Sequence, residues 1–189
     1  MHMKVFIAGP RALKSLDSAV EERICNIVHQ NITVLVGDAN GVDKMIQSYL
    51  GNAGYQNVAV YASNGAARNN IGNWNVQNVP VKDGVTGFDF YAAKDKAMAD
   101  DADCGFMIWN GKSKGTLNNM INLAKQDKTV LVYFTPHKKF YHIKSMEAAQ
   151  KLASACGDDV GRLFESLSGH PHSAHEAAAE QISLYHTAI

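Results

Sequence analysis

The sequence predicts an α/β fold, a Rossmann-like parallel sheet with helices on both faces, followed by C-terminal helices. Three observations predict it. Short apolar runs, several closed by glycine, recur along the first two-thirds of the chain. Between them lie stretches whose apolar residues repeat with the period of a helix, and the alternation is kept for roughly 130 residues, the pattern of βαβ units around a parallel sheet. Three of the apolar runs end in glycine-containing polar turns, the place where open parallel sheets carry their ligands.

The elements follow in order. Val5-Phe6-Ile7-Ala8, stopped by Gly9-Pro10, reads as a buried first strand. Leu16, Ala19, Val20, Ile24, Ile27 and Val28 mark a helix over 16–29. Thr33-Val34-Leu35-Val36 is a second strand, ended by Gly37-Asp38, and Val42, Met45, Ile46, Tyr49 and Leu50 give a second helix. Residues 57–61 form a third strand. Residues 62–88 are rich in Asn and Gly and poor in aliphatics, so they read as one long loop, a length that in a compact domain points to function or mobility. A helix over 89–101 leads to a fourth strand, Cys104 to Trp109, then the turn Asn110-Gly111-Lys112-Ser113-Lys114-Gly115, a helix over 116–126 and a fifth strand over 129–134. Right-handed crossovers are expected from strand twist. Beyond Phe140 come a short strand over 140–143, a helix over 145–155 with Ser145 as N-cap, and another over 158–167. Ser168-Gly169-His170-Pro171 breaks the chain before a last helix over 173–188. The expected division is a Rossmann-like domain over 1–144 and a helical extension over 145–189.

Composition narrows the classes. The chain has 189 residues, 46% of them apolar, enough for one sizeable core. Lys plus Arg and Asp plus Glu are 18 each, so the formal net charge is zero, which argues against a nucleic-acid partner. Cys25, Cys104 and Cys156 are far apart and lie among small or apolar residues, as buried free thiols of a reducing compartment do. Met1-His2-Met3-Lys4 runs directly into a strand without a signal-peptide segment, and no apolar run approaches the ~20 residues of a membrane span. The expected location is the cytoplasm, with no membrane partner. Ala177, Ala178, Ile182 and Leu184 give the last helix an apolar side, from which a homo-oligomer is expected.

The candidate site residues stand at three strand ends. They are Gly9 and Arg11, then Gly37, Asp38, Gly41 and Asp43, then Gly111, Lys112, Ser113, Gly115 and Thr116. Glycine lets a ligand approach the backbone closely. The helix start that follows offers unpaired N–H groups and the positive end of a dipole, an anion site. Ser113 and Thr116 add hydroxyls, Lys112 and Lys114 add charge, and Arg11 can make a forked contact to phosphate or carboxylate. Asp38 and Asp43 read equally well as helix caps. No GxxxxGK[ST] and no GxGxxG is present, which disfavours a Walker A site and an NAD site of the usual kind. Asp38 and Asp95 are the candidate catalytic carboxylates. Asp89 and Asp95 also suit a helix N-terminus, and Lys94 and Lys96 flank Asp95 with either phosphate contact or solvation in view. Trp109 and Tyr61, at strand ends, can stack a base or pack the core. His170, His172 and His175, with only Glu176 beside them, read as a solvated helix entrance, and neither a metal nor a cofactor is assigned.

Gly9-Pro10-Arg11, the segment from Val36 to Asp43 and the segment from Ala102 to Thr116 resemble, in order and spacing, the SLOG superfamily over residues 4–135. This Rossmann-like group includes the Smf/DprA proteins, the LOG phosphoribohydrolases and the YspA/YpsA-related proteins, and the YspA-related branch is the most similar. The resemblance implies a nucleotide or nucleotide-derived ligand at the strand ends. LOG proteins cleave the N-glycosidic bond of nucleoside monophosphates with a glutamate on the helix after their Gly-Thr turn. Here that position is Asn119, and a neutral amide supplies neither a base nor an anion to the transition state. The expectation is therefore a nucleotide sensor or carrier. A LOG-like N-glycosidic hydrolase or transferase without the usual glutamate is the alternative.

Overall fold

The computed structural model describes residues 3–169. The predicted last helix, its apolar side and the histidine cluster lie outside them. The elements are β1 (Lys4–Ala8), α1 (Ser18–His29), β2 (Thr33–Gly37), α2 (Val42–Asn52), β3 (Val58–Ser63), β4 (Asn75–Val79), α3 (Gly87–Asp101), β5 (Cys104–Trp109), α4 (Lys114–Ala124), β6 (Val130–Phe134), β7 (Lys139–Ile143), α5 (Met146–Ala155) and α6 (Asp158–Ser168). They build one sheet in the order β4-β3-β2-β1-β5-β6-β7, parallel throughout except that β7 runs antiparallel to β6.

The alternation of side chains along a strand divides the core in two. Val5 and Ile7 of β1 face the side covered by Val20 and Ile24 of α1 and by Val42 and Ile46 of α2. Phe6 and Ala8 face the other side, with Met98 of α3, Leu117 and Ile121 of α4, Ala149 of α5 and Phe164 of α6. Full burial of one such Leu, Ile or Phe contributes about 1.5–3 kcal/mol. Helices α5 and α6 thus share a core cluster with the sheet.

Helix starts follow local chemistry. Asp17 caps α1 through the Ala19 amide, and Ser145, the expected N-cap, caps α5 through the Ala148 amide. One strand was not predicted. β4 lies inside the expected 62–88 loop, paired in parallel with β3 from Ala59↔Asn75 to Ser63↔Val79. It is an edge strand, and only Val76 and Val79 are half-buried, so it shows no apolar run. The loop before it is pinned rather than free. Trp74 is buried and donates through Nε1 to the Tyr55 carbonyl at 2.8 Å, while Asn70 bonds both the amide and the carbonyl of Trp74.

From β1 the chain proceeds to β2 on one side, and β5 lies on the other. This reversal is the topological switch point, and it opens a crevice between the carboxyl ends of β1 and β5.

Candidate functional site

A cleft of about 630 Å³ fills that crevice. It gathers residues from the three predicted strand ends: Gly9 and Arg11 after β1, Ala39 and Asp43 after β2, and Asn110, Lys112, Ser113, Gly115, Thr116 and Asn119 after β5. Glycine is required where these loops meet. A Cβ on Gly9 would come within 2.7 Å of Val42 Cγ2 and 2.9 Å of the Ile108 carbonyl oxygen. Gly41 has φ +81° and lies against the Arg11 backbone, and the Val42 amide donates to the Pro10 carbonyl at 3.3 Å. The first two loops are therefore locked together beneath the cleft.

The β5 loop prepares the start of α4. Asn110 Oδ1 accepts from the amides of Lys112 and Ser113 at 3.0 and 2.9 Å, which turns the chain. Ser113 is the N-cap: its Oγ accepts from the Thr116 amide and, at 3.0 Å, from the Thr116 hydroxyl. Thr116 is buried and supports the cap with that hydroxyl. The amides of Lys114 and Gly115 are the orphan donors that a helix start leaves. A Cβ on Gly115 would meet nothing within 4 Å, so this position opens onto the cleft. Gly111 packs against Phe134 and Cys156 with φ +76° and shapes the turn from outside the cleft lining.

Helix α3 forms the facing wall. Phe88, Tyr91, Ala92, Asp95 and Met98 line it, and their three- and four-residue spacing puts them on one helical face. Phe88, Tyr91, Ala92 and Met98 were not among the predicted site residues, although this spacing is legible in the sequence. The wall carries cations on its rings: Arg11 and Arg68 each lie 4.7 Å from the Tyr91 centroid, and Lys114 Nζ lies 4.1 Å from that of Phe88.

A buried charge network lies below. Asp38 is 3% exposed and receives a forked contact from Arg68, at 2.9 and 2.6 Å, plus the Arg68 amide at 3.1 Å. Burial alone would raise its pKa; the Arg68 hydrogen bonds outweigh that and hold the carboxyl below its ordinary value. Asp38 is turned to this partner and does not line the cleft. Lys94 is 4% exposed, 2.8 Å from Asp95 Oδ1 and 4.0 Å from Asp38 Oδ1. Burial opposes its charge, but Asp95 and Asp43 prevail and keep the ammonium above its ordinary pKa. Asp43 lies deepest. Burial is the main cause that pushes it up to about 6, against the pull of Lys94, and its Oδ2 accepts from the Ala39 amide at 3.2 Å. Gly37 makes room for this pair, since a Cβ there would come within 2.7 Å of Lys94 Nζ.

Other predicted residues stand elsewhere. Trp109 is wholly buried and donates through Nε1 to the Ser113 carbonyl, and Tyr61 is buried with its hydroxyl on Asp101 Oδ2 at 2.6 Å. Both therefore pack the core and stack no base. Lys96 pairs with Asp100, and Asp89 is exposed at the start of α3, outside the cleft lining. The three cysteines are free, and each is half-buried rather than buried. Among the described residues no helix is long and apolar enough to cross a membrane.

No model of a protein family matches the chain, and no curated protein matches it in sequence. A solved structure is similar in fold: DNA processing protein A from Helicobacter pylori, described for its single-stranded DNA binding mode, at 15% identity and a TM-score of 0.56, covering 90% of this chain and 82% of that one. This finding corrects two expectations, the exclusion of nucleic acid and the nucleotide or nucleotide-derived ligand, with its glycosidic alternative. The exclusion failed because a formal net charge sums the whole chain, whereas Arg11, Lys112 and Lys114 are grouped at one sheet edge. The chain shares its Rossmann-like α/β fold with that protein.

Proposed function

We propose that the cleft binds single-stranded nucleic acid, with a backbone phosphate at the start of α4 and a base against the α3 wall. The observation that carries this reading is the rim, where cations ride on aromatic rings: Arg11 and Arg68 on Tyr91, and Lys114 on Phe88. Non-specific single-strand binding rests on this combination of a cationic track with rings on which bases stack. The likeness in fold to a single-stranded DNA-binding protein supports it. The motif order from Gly9 to Thr116 supports a place near the YspA-related branch of SLOG proteins, and a nucleic-acid ligand suits a cytoplasmic location.

In this reading the Lys114 and Gly115 amides and the Ser113 hydroxyl donate to phosphate, while Arg11 and Lys112 add charge from either side. Three cations, Arg11, Lys112 and Lys114, neutralise about three phosphates. The logarithm of affinity then falls with the logarithm of salt with a slope of about −2. Fluorescence anisotropy with a labelled single strand and its duplex tests the reading. A single strand bound at least ~10-fold more tightly than duplex, with that slope, is expected. Equal affinity for the two, or binding indifferent to salt, contradicts it.

A further inference from the structure

The floor of the cleft differs in character from its rim. Asp43 and Asp95 both line it. Asp95 Oδ1 is held by Lys94; with the Asn119 amide assigned so that its nitrogen meets acceptors, that nitrogen lies 3.3 Å from Asp95 Oδ2 and 3.2 Å from the Gly115 carbonyl. The donors of Asn119 are thus turned toward the protein. Lys94 also lines the cleft, 4% exposed, but its ammonium is taken up by Asp95 Oδ1 at 2.8 Å and Asp38 Oδ1 at 4.0 Å. With that ammonium engaged, the carboxylate oxygens are what the floor presents to a base, and an ionised carboxylate accepts hydrogen bonds without donating any. Two carboxylates against one ammonium leave the floor net negative, which repels phosphate and keeps a backbone at the rim, so it is the base that enters.

Building on the single-strand reading, we propose that Asp43 and Asp95 make the cleft select bases that present N–H donors, guanine first, over thymine and uracil. An unpaired guanine carries two adjacent donors, N1–H and the N2 amine, which match the two oxygens of one carboxylate in a forked pair. Cytosine and adenine each offer one exocyclic amine beside a ring acceptor. Thymine and uracil place two carbonyl oxygens on either side of a single N–H, so a carboxylate meets at least one acceptor lone pair. The floor discriminates by rejecting the wrong edge as well as by pairing with the right one. A forked base contact of this kind changes affinity by about tenfold or more.

The test is competition binding of short oligothymidylates against the same strands carrying one guanine, adenine or cytosine. A gain of about tenfold for guanine, with smaller gains for cytosine and adenine, is expected. The Asp43→Asn, Asp95→Asn double substitution should bring the guanine-to-thymine ratio close to one, with thermal denaturation as the check on folding. Equal affinity across the four bases, or a thymine preference, overturns the selectivity while leaving single-strand binding in place. A guanine gain that survives in a folded double variant overturns the assignment to these two residues. If the double variant does not fold, the base series on the unaltered protein decides the selectivity and Asp95→Asn alone decides the assignment. Failure of every strand to bind, by contrast, removes the reading on which the selectivity rests.

Discussion

Asp43 is the residue at which burial and charge conflict most directly. Its pKa is raised from 3.8 to about 6 because the folded protein removes it from water, and Lys94 offsets this only in part. A carboxyl with a raised folded pKa retains its proton longer in the native state. Its stability contribution is fully present below the unfolded value and is lost as pH rises through about 6. Asp43→Asn keeps an acceptor for the Ala39 amide and removes the penalty. It should stabilise the protein by on the order of 1–3 kcal/mol at about pH 8 and by progressively less toward about pH 4, as read from thermal melts across that range. A pH-independent difference would contradict this account. Asp38 has the opposite sign: its pKa is lowered, so its contribution is present at neutral pH and lost in acid. Arg68→Ala leaves Asp38 buried without its forked partner and should cost about 3 kcal/mol in denaturant unfolding, where a cost under about 0.5 kcal/mol would mark the pair as a surface contact. The type of Asp38 was visible in the sequence but its role was not. The partner that occupies it comes thirty residues later, from an Asn-rich loop with no periodic signal to place it.

At the scale of elements, legibility followed burial. β1, β2, β5 and β6 are buried strands and show as continuous apolar runs. β4 is held by backbone pairing to β3 with two half-buried valines, and backbone hydrogen bonds leave no mark on sequence. The three loops of the cleft were found because glycine and capping residues mark strand ends directly. The α3 wall was placed as a helix, but its cleft-facing side was not recognised, since Phe88, Tyr91 and Met98 look like ordinary core residues until the sheet fixes which way the helix faces. The same dependence on packing governs α5 and α6. Phe164 is 3% exposed, in one cluster with Met107 and Leu117. Phe164→Ala should lower the stability of a single unfolding transition by about 3–4 kcal/mol. Two separate transitions in calorimetry would show instead that α5 and α6 form an independent unit.

For the whole molecule, the distribution of charge matters more than its sum. A chain with zero net charge places Arg11, Lys112 and, on the Phe88 ring, Lys114 at the rim of one cleft, and seats Asp43 and Asp95 with the engaged Lys94 on its floor. The sheet order produces this separation, because the switch point brings the β1 and β5 loops face to face while α3 closes the third side. Gly115 is the position at which this arrangement can be tested without disturbing the fold, since a side chain there enters open space. Gly115→Ala should retain the structure and gain about 0.5–1 kcal/mol in helix stability. Gly115→Glu keeps helix propensity and suits the α4 dipole, so it should fold as well, while its carboxylate occupies the phosphate position. The most direct measurement is the affinity of these two variants and the unaltered protein for one labelled single strand at low salt. The glutamate variant, folded by circular dichroism, should bind at least ~10-fold more weakly than the alanine variant. Equal affinity in all three proteins would contradict a phosphate site at the start of α4.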